Sequence, residues 1–364
     1  MQRKFLRKVF VCLLALTSGL SASAAARGFD DLSALYDIPP ATMALLKAEI
    51  EAEWAARNHG VAGFTIEAEG AFTGCQVRVF SHLIDGDNDG EVNDKHYVAV
   101  RFPRLFDPEQ KYPVLLVNHG GTSGVNLNKL ADFDAGLPDA TIGDNFFIVL
   151  PSYRAEWLDA RVLDPGNPAL QFTSGGTASV LDYDVDDVIT ALNATLKNFK
   201  QADKLRVAAY GTSRGGAVTL LLDARDARIR RTVDMFGGAN MLLTQEEIEA
   251  TACGAPAGNP ILKQLLEHVI CPYRAGTLSL HEARLELVRR SAVFFAEGLF
   301  RLQIHHGTAD TTVPLAHSIT LTNALDALPG PPPYQFYVYP GGVHSVGSLD
   351  GQGPRVKMFL SSLL

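Results

Sequence analysis

The chain has 364 residues, 47% of them hydrophobic and 20% charged, with a formal net charge of −8. That balance excludes a disordered chain and supplies enough apolar material for one large domain with a sizeable core. The acidity repels phosphate backbones and anionic lipid, so neither nucleic acid nor a membrane surface is an expected partner.

Residues 1–24 read as a leader rather than as part of the fold. Met1 to Lys8 is basic, Val9 to Leu16 is a short apolar run, and Ala22-Ser23-Ala24 and Ala24-Ala25-Ala26 both fit a small-residue cleavage site. This is the pattern of a cleavable signal peptide, and it implies a secreted or periplasmic fate. No later stretch approaches the roughly 18 uninterrupted apolar residues of a membrane span. Loss of residues 1–24 removes four basic residues and no acidic one, which takes the charge from −8 to −12. Export permits disulfides. Cys253 and Cys271 lie in one polar insert and form the natural pair, which leaves Cys75 as a small buried apolar side chain.

Residues 25–70 are expected to form a helical extension. Pro39-Pro40 suits a helix entry, Met43, Leu46, Ile50 and Trp54 fall on one face, and Gly60 can end the helix. From Gly70 the period changes to two: Cys75, Val77 and Val79 alternate with polar or outward positions, and a second strand covers 97–102. Between them, Asp85, Asp87 and Asp89 with Gly90 match the first half of a calcium loop. Position 12 is His96, where a bidentate Glu belongs, and the flanks are strands. An acidic hairpin turn is therefore preferred to a calcium site.

Val114 to Asn118 is a continuous apolar run, as in a buried central strand, and it ends in His119-Gly120-Gly121. Residues 146–151 give another such strand. Leu181, Val185, Val188, Ile189, Leu192, Leu196 and Phe199 trace one face of a long helix. Asp182, Asp184, Asp186 and Asp187 crowd its first half and are read as a solvated face suited to the helix dipole. A short apolar run, Leu205 to Tyr210, then meets Gly211-Thr212-Ser213-Arg214-Gly215-Gly216 and a helix-forming stretch. Strand, sharp turn and helix are the setting of a nucleophile elbow, with Ser213 exposed at the turn and the Arg214 N–H offered to a developing oxyanion. The H-G-G at 119–121 is where a second oxyanion donor arises.

Residues 239–297 break the strand-helix alternation and are expected to form a helical cap over the site. The alternation resumes at Leu302. It brings Asp310 in a G-x-x-D-x-x-V-P turn, a strand at 334–339, and His344 in a Gly-rich loop near the C-terminus. The order Ser213, Asp310, His344 is that of the α/β-hydrolase triad. His119, His305 and His306 are read as structural or supporting groups. The ten histidines show no H-E-x-x-H or paired-cysteine spacing, so no cofactor or catalytic metal is expected.

The expected fold class is α/β: an α/β-hydrolase fold with a mostly parallel central sheet flanked by helices, spanning 71–364, with 239–297 as the cap. The run Phe106-Asp107-Pro108 to Pro113, the H-G-G, Pro151-Ser152-Tyr153-Arg154, the elbow, His306 to Pro314 and Gly342-Val343-His344-Ser345 together resemble the catalytic domain of the prolyl oligopeptidase family of serine peptidases. The resemblance covers roughly 75–364. It implies Ser213, Asp310 and His344 as triad and the N–H groups of Gly121 and Arg214 as oxyanion hole. It also implies hydrolysis of a small peptide substrate through an acyl-enzyme. The same scaffold hosts esterases, so carboxylic ester hydrolysis is the alternative, and a non-enzymatic exported binding protein is the third reading.

Overall fold

The structure is a computed structural model, and it describes residues 32–87, 89–255 and 259–364. The expected signal peptide, residues 1–24, lies outside the described residues. Nine strands form one sheet: β1 (Ala62–Phe72), β2 (Cys75–Ile84), β3 (Asp94–Arg101), β4 (Tyr112–Asn118), β5 (Phe147–Pro151), β6 (Ala202–Thr212), β7 (Ile229–Met235), β8 (Leu302–Gly307) and β9 (Tyr334–Tyr339). Their order is β1-β2-β3-β5-β4-β6-β7-β8-β9. The pairs from β1 to β5 are antiparallel, and every pair from β5 to β9 is parallel. Three short strands, Val125–Asn126, Trp157–Asp159 and Gln171–Thr173, make a second small sheet.

The continuous apolar runs explain why the central strands lie inside. Successive side chains point to opposite faces, so a run without polar breaks fills two cores at once. Val114, Leu116, Phe147, Val149, Val207 and Ala209 join one core. Leu115, Val117, Ile148, Leu150, Ala208 and Tyr210 join the other. The first core is covered by α1 (Pro40–Ala56), α3 (Tyr183–Asn198) and α4 (Arg214–Arg225). The second is covered by α2 (Asn128–Ala135) and by α7 (Gln352–Ser361), the last helix. Between them in the sequence lie α5 (Leu280–Arg289) and α6 (Ala316–Asp326). No helix among the described residues is long and apolar enough to cross a membrane.

The helical extension is only partly helical. Pro40 opens α1, and Leu46 and Ile50 are fully buried, as the spacing predicts. The helix stops at Ala56, before Gly60, where the Arg57 backbone turns extended (ψ 140°), and the Arg57 guanidinium meets Asp182 and Asp186 at 2.8 and 2.6 Å. Residues 62–72 are not helix but strand β1. It is an edge strand, mostly exposed, and so carries no clean alternation for a sequence reading to find.

The acidic start of α3 is a second correction. Asp182, Asp184, Asp186 and Asp187 are all buried rather than solvated. Each carboxylate meets an arginine: Asp182 meets Arg57 and Arg289, Asp186 meets Arg57 and Arg225, Asp187 meets Arg154, and Asp184 meets Arg214. Buried charges persist only when paired in this way.

The insert at 239–297 does contain helices and the Cys253–Cys271 disulfide, and Cys75 is free and buried. Its position differs from the expected cap. Leu262, Leu265, Leu266 and Val269 sink into the same core as Leu32 and Leu35. His281 reaches Glu49 on α1 at 2.9 Å, Arg289 reaches Glu53 at 2.8 Å, and Phe295 packs on Trp54 with centroids 4.5 Å apart. The insert is seated on the N-terminal helix, which supplies the apolar surface that its own helices need.

His82 and His96 stand opposite each other on β2 and β3, both buried. Neither ring nitrogen of His82 has a partner among the described residues. Burial, reinforced by His96, pushes His82 from 6.5 down to about 3. The unfolded chain takes up this proton and the folded chain does not. Stability therefore falls as pH drops below 6.5 towards the folded value. At pH 5 the deficit from this group is about 2 kcal/mol. Urea unfolding at pH 8 and pH 5 should show a pH gap smaller by about that amount in His82→Phe than in the wild type. An equal gap in the two proteins would mean that His82 is not held neutral.

Candidate active site

The site forms at the carboxyl ends of the parallel strands, where loops can place side chains without interrupting the sheet. Strand β6 ends at Thr212 and α4 begins at Arg214. Ser213 makes the whole turn alone, with φ 57° and ψ −123°. A non-glycine residue held there stores on the order of 1–3 kcal/mol of strain. Two glycines permit it. A Cβ on Gly211 would lie 2.0 Å from the Gly215 carbonyl oxygen, and a Cβ on Gly215 would lie 2.0 Å from the Asn118 carbonyl oxygen. Helix α4 thus rests directly on the backbone of β6 and on the end of β4. The Ser213 N–H donates to the Met235 carbonyl at 2.9 Å and fixes the turn to β7.

Ser213, His344 and Asp310 come together. Ser213 Oγ donates to His344 Nε2 at 2.8 Å, and His344 Nδ1 donates to Asp310 Oδ2 at 2.7 Å. These roles follow the tautomer that a carboxylate at Nδ1 selects. The other Asp310 oxygen accepts the N–H groups of Thr312 and Val313, each at 2.9 Å. Burial alone would raise the Asp310 pKa. The hydrogen bonds from His306, His344 and Val313 outweigh it and hold the carboxyl well below the usual carboxylate range. Asp310 is therefore an anion facing the imidazole. The His344 ring rests on Phe236, with centroids 4.6 Å apart.

The three other histidines divide. His306 lies behind Asp310: Nε2 donates to the Val313 carbonyl at 2.8 Å and lies 3.5 Å from Asp310 Oδ2, while Nδ1 accepts from Ser318 Oγ at 2.8 Å. His305 is bound to Tyr339 and Gln303. His119 stacks on Tyr153 with centroids 4.2 Å apart. Burial, reinforced by Arg214, pushes His119 down to about 3, so it stays neutral.

Gly121 follows β4 at φ 74°, the left-handed region that glycine enters freely. Neither its N–H nor that of Arg214 donates to an acceptor among the described residues. Gly121 lines, with Ser213 and His344, a cleft of about 960 Å³, and Arg214 directly follows Ser213 in the chain. Its apolar lining includes Val117, Phe133, Tyr210, Phe236, Leu349 and Val356. Among the described residues, the insert lines none of it and touches only the rim, where Asn259 Nδ2 donates to the Thr312 carbonyl at 3.3 Å.

Sequence reading singled out neither Glu156 nor the side chain of Arg214. Glu156 is buried in an irregular loop, and its carboxylate binds the Arg214 guanidinium. No short motif marks such a pair, because its members come from distant segments. Asp85, Asp87 and Asp89 do come together, with carboxylate oxygens within 4.8 Å of one another. They also accept backbone N–H groups of their own loop, from Gly90, Asp89 and Glu91. His96 does not join them; it is buried on β3, 3.8 Å from Asp187.

No family model matches the chain. Similar solved structures include acetyl xylan esterase 1 from Thermoanaerobacterium sp. JW/SL YS485, with a TM-score of 0.56 and 17% identity over 92% of this chain and 98% of that one. The acetyl xylan esterase from Paenibacillus sp. R4 has a TM-score of 0.58 and 14% identity over 92% of this chain and 100% of that one. A puromycin-hydrolyzing peptidase of Mycobacterium tuberculosis has a TM-score of 0.52 and 20% identity, and it covers 79% of this chain but only 39% of its own. At these identities the likeness is one of fold, and together with the sheet order it gives the chain the α/β-hydrolase fold.

Proposed function

We propose that the protein is a serine hydrolase that cleaves acyl esters or amides through a covalent acyl-enzyme, with Ser213, His344 and Asp310 as its triad. One observation carries this reading: the unbroken relay from Ser213 Oγ to His344 to the Asp310 carboxylate, set beside an open cleft. Ser213 is a poor nucleophile alone, so His344 Nε2 takes its proton as Oγ attacks the substrate carbonyl. Asp310 holds the tautomer and offsets the imidazolium charge. The N–H groups of Gly121 and Arg214 would receive the oxyanion. Collapse of the tetrahedral adduct expels the leaving group, which carries off the His344 proton. Water, deprotonated by His344, then attacks the acyl carbonyl and frees Ser213.

Two substrate readings have support. The ordered motifs resemble the prolyl oligopeptidase family, which favours peptide bonds. Two similar structures that match along nearly their whole length and over 92% of this chain are acetyl xylan esterases, which favours carboxylic esters. The disulfide and the leader pattern fit hydrolysis outside the cytoplasm.

Wild type should be labelled by a fluorophosphonate and should turn over a short-chain nitrophenyl ester or a prolyl nitroanilide. Ser213→Ala should lose both the label and the turnover. Turnover of the anilide assigns a peptidase, and turnover of the ester alone assigns an esterase. An unlabelled, inactive wild type would remove the hydrolase reading. Asp310→Asn keeps the side-chain shape but presents the wrong tautomer partner, so kcat should drop by about 10⁴ while the fold is retained. A drop of less than tenfold would argue that Asp310 does not orient His344.

A further inference from the structure

The two backbone donors next to Ser213 stand on segments of unequal rigidity. The Arg214 N–H belongs to the first residue of α4, which is wedged against β4 and β6. The Gly121 N–H belongs to a loop that leaves the sheet, and nothing lies within 4 Å of where a Cβ on Gly121 would point. An oxyanion hole works only if both donors are fixed about 2.7–3.1 Å from the point where the charge develops. Something must therefore tie the loop to the helix.

We propose that the Arg214 side chain is that tie. It acts as a positioning residue that sets the spacing of the two oxyanion donors, with Glu156 and Asp184 as its anchors. The proposal rests on the hydrolase reading above. The same residue offers its backbone N–H on one side, and its side chain reaches across to the other. Arg214 Nη1 donates to the Gly121 carbonyl at 2.8 Å and also to Glu156 Oε1. The far edge of the guanidinium is gripped by Asp184, with Nε to Oδ2 at 2.8 Å and Nη2 to Oδ1 at 2.7 Å. Its face lies 4.6 Å over the Tyr153 ring.

Glu156 and Tyr153 also hold the same loop independently. Glu156 Oε2 accepts the Gly124 N–H at 3.0 Å, and Tyr153 OH donates to the His119 carbonyl at 3.2 Å. The carbonyls of His119 and Gly121 lie on either side of the peptide unit that carries the Gly121 N–H. Fixing both sets the path of the chain on each side of that unit, and the unit's own carbonyl, that of Gly120, accepts from His119 Nδ1 at 3.1 Å. The Arg214, Glu156 and Asp184 side chains are 1%, 6% and 0% exposed. Such a buried charged trio contributes little net stability over apolar packing of equal volume, and retaining it points to a positional role. The planar fork makes four bonds from its two edges, to two carboxylates and a carbonyl; a lysine ammonium has three N–H groups on one atom and cannot span both edges.

Substitution of the side chain leaves the Arg214 N–H in place, so the role can be tested apart from it. Arg214→Lys should lower kcat by about 10²–10³, as does loss of one oxyanion donor, with KM changed by less than about threefold. Affinity for a boronic acid, which forms a tetrahedral adduct on Ser213, should fall by the same factor as kcat/KM. The midpoint of the pH-rate profile should not move, because the triad is untouched. Glu156→Gln keeps the shape of the anchor and should give a smaller loss with the same split, and it carries the test if Arg214→Lys does not fold. Unchanged kcat in the folded variants, or a loss confined to KM with boronic acid affinity retained, overturns the proposal. Failure of the hydrolase reading is seen separately, as a wild type that no fluorophosphonate labels.

Discussion

Removing a carboxylate from water is tolerated only where a cation replaces the lost hydration, and the start of α3 makes this demand four times in six residues. The four cations arrive from separate parts of the chain. Arg57 comes from the end of α1, Arg154 from the loop after β5, Arg214 and Arg225 from the two ends of α4. Arg289 adds the insert to the same cluster. Breaking a buried pair by deleting one partner costs about 3–5 kcal/mol, so each of these segments is held to α3 by a penalty for leaving. The candidate active site inherits this arrangement, since α4 is both an arm of the cluster and the support of Ser213.

A second constraint acts at shorter range. The elbow needs helix α4 to touch the backbones of β6 and β4, and only residues without a Cβ allow the contact. The strain at Ser213 persists because the surroundings leave no alternative path for the chain. Electrostatics then positions the helix along the sheet, and glycine contacts set its depth. Together they present Oγ to His344.

These two constraints differ in how far they could be read from sequence. The elbow, the H-G-G turn and the turns carrying Asp310 and His344 are local patterns, each ending a recognisable strand, and their order along the chain limited the fold to one class. The buried carboxylates were misread because Asp182, Asp184, Asp186 and Asp187 look like any acidic helix start. Their burial depends on arginines up to 129 positions away, which no window contains. Strand β1 escaped notice because it is a mostly exposed edge, and Glu67 and Glu69 interrupt its apolar positions. For the insert, the apolar face of Leu262, Leu265, Leu266 and Val269 was legible. The surface receiving it was not, since that surface is assembled from the other end of the chain.

The docking of α1 also bears on the order of folding. Its partners are Asp182 and Asp186 on α3 and Arg289 in the insert, up to 236 positions downstream of Glu53. Contacts of such sequence separation form late, because the intervening chain must first be organised. Helix α1, made before either of its partners, is then seated only after them. Until it is, the apolar faces of α1 and of the insert are both uncovered, and the nascent protein passes through a stage at which it is most prone to associate with its own copies.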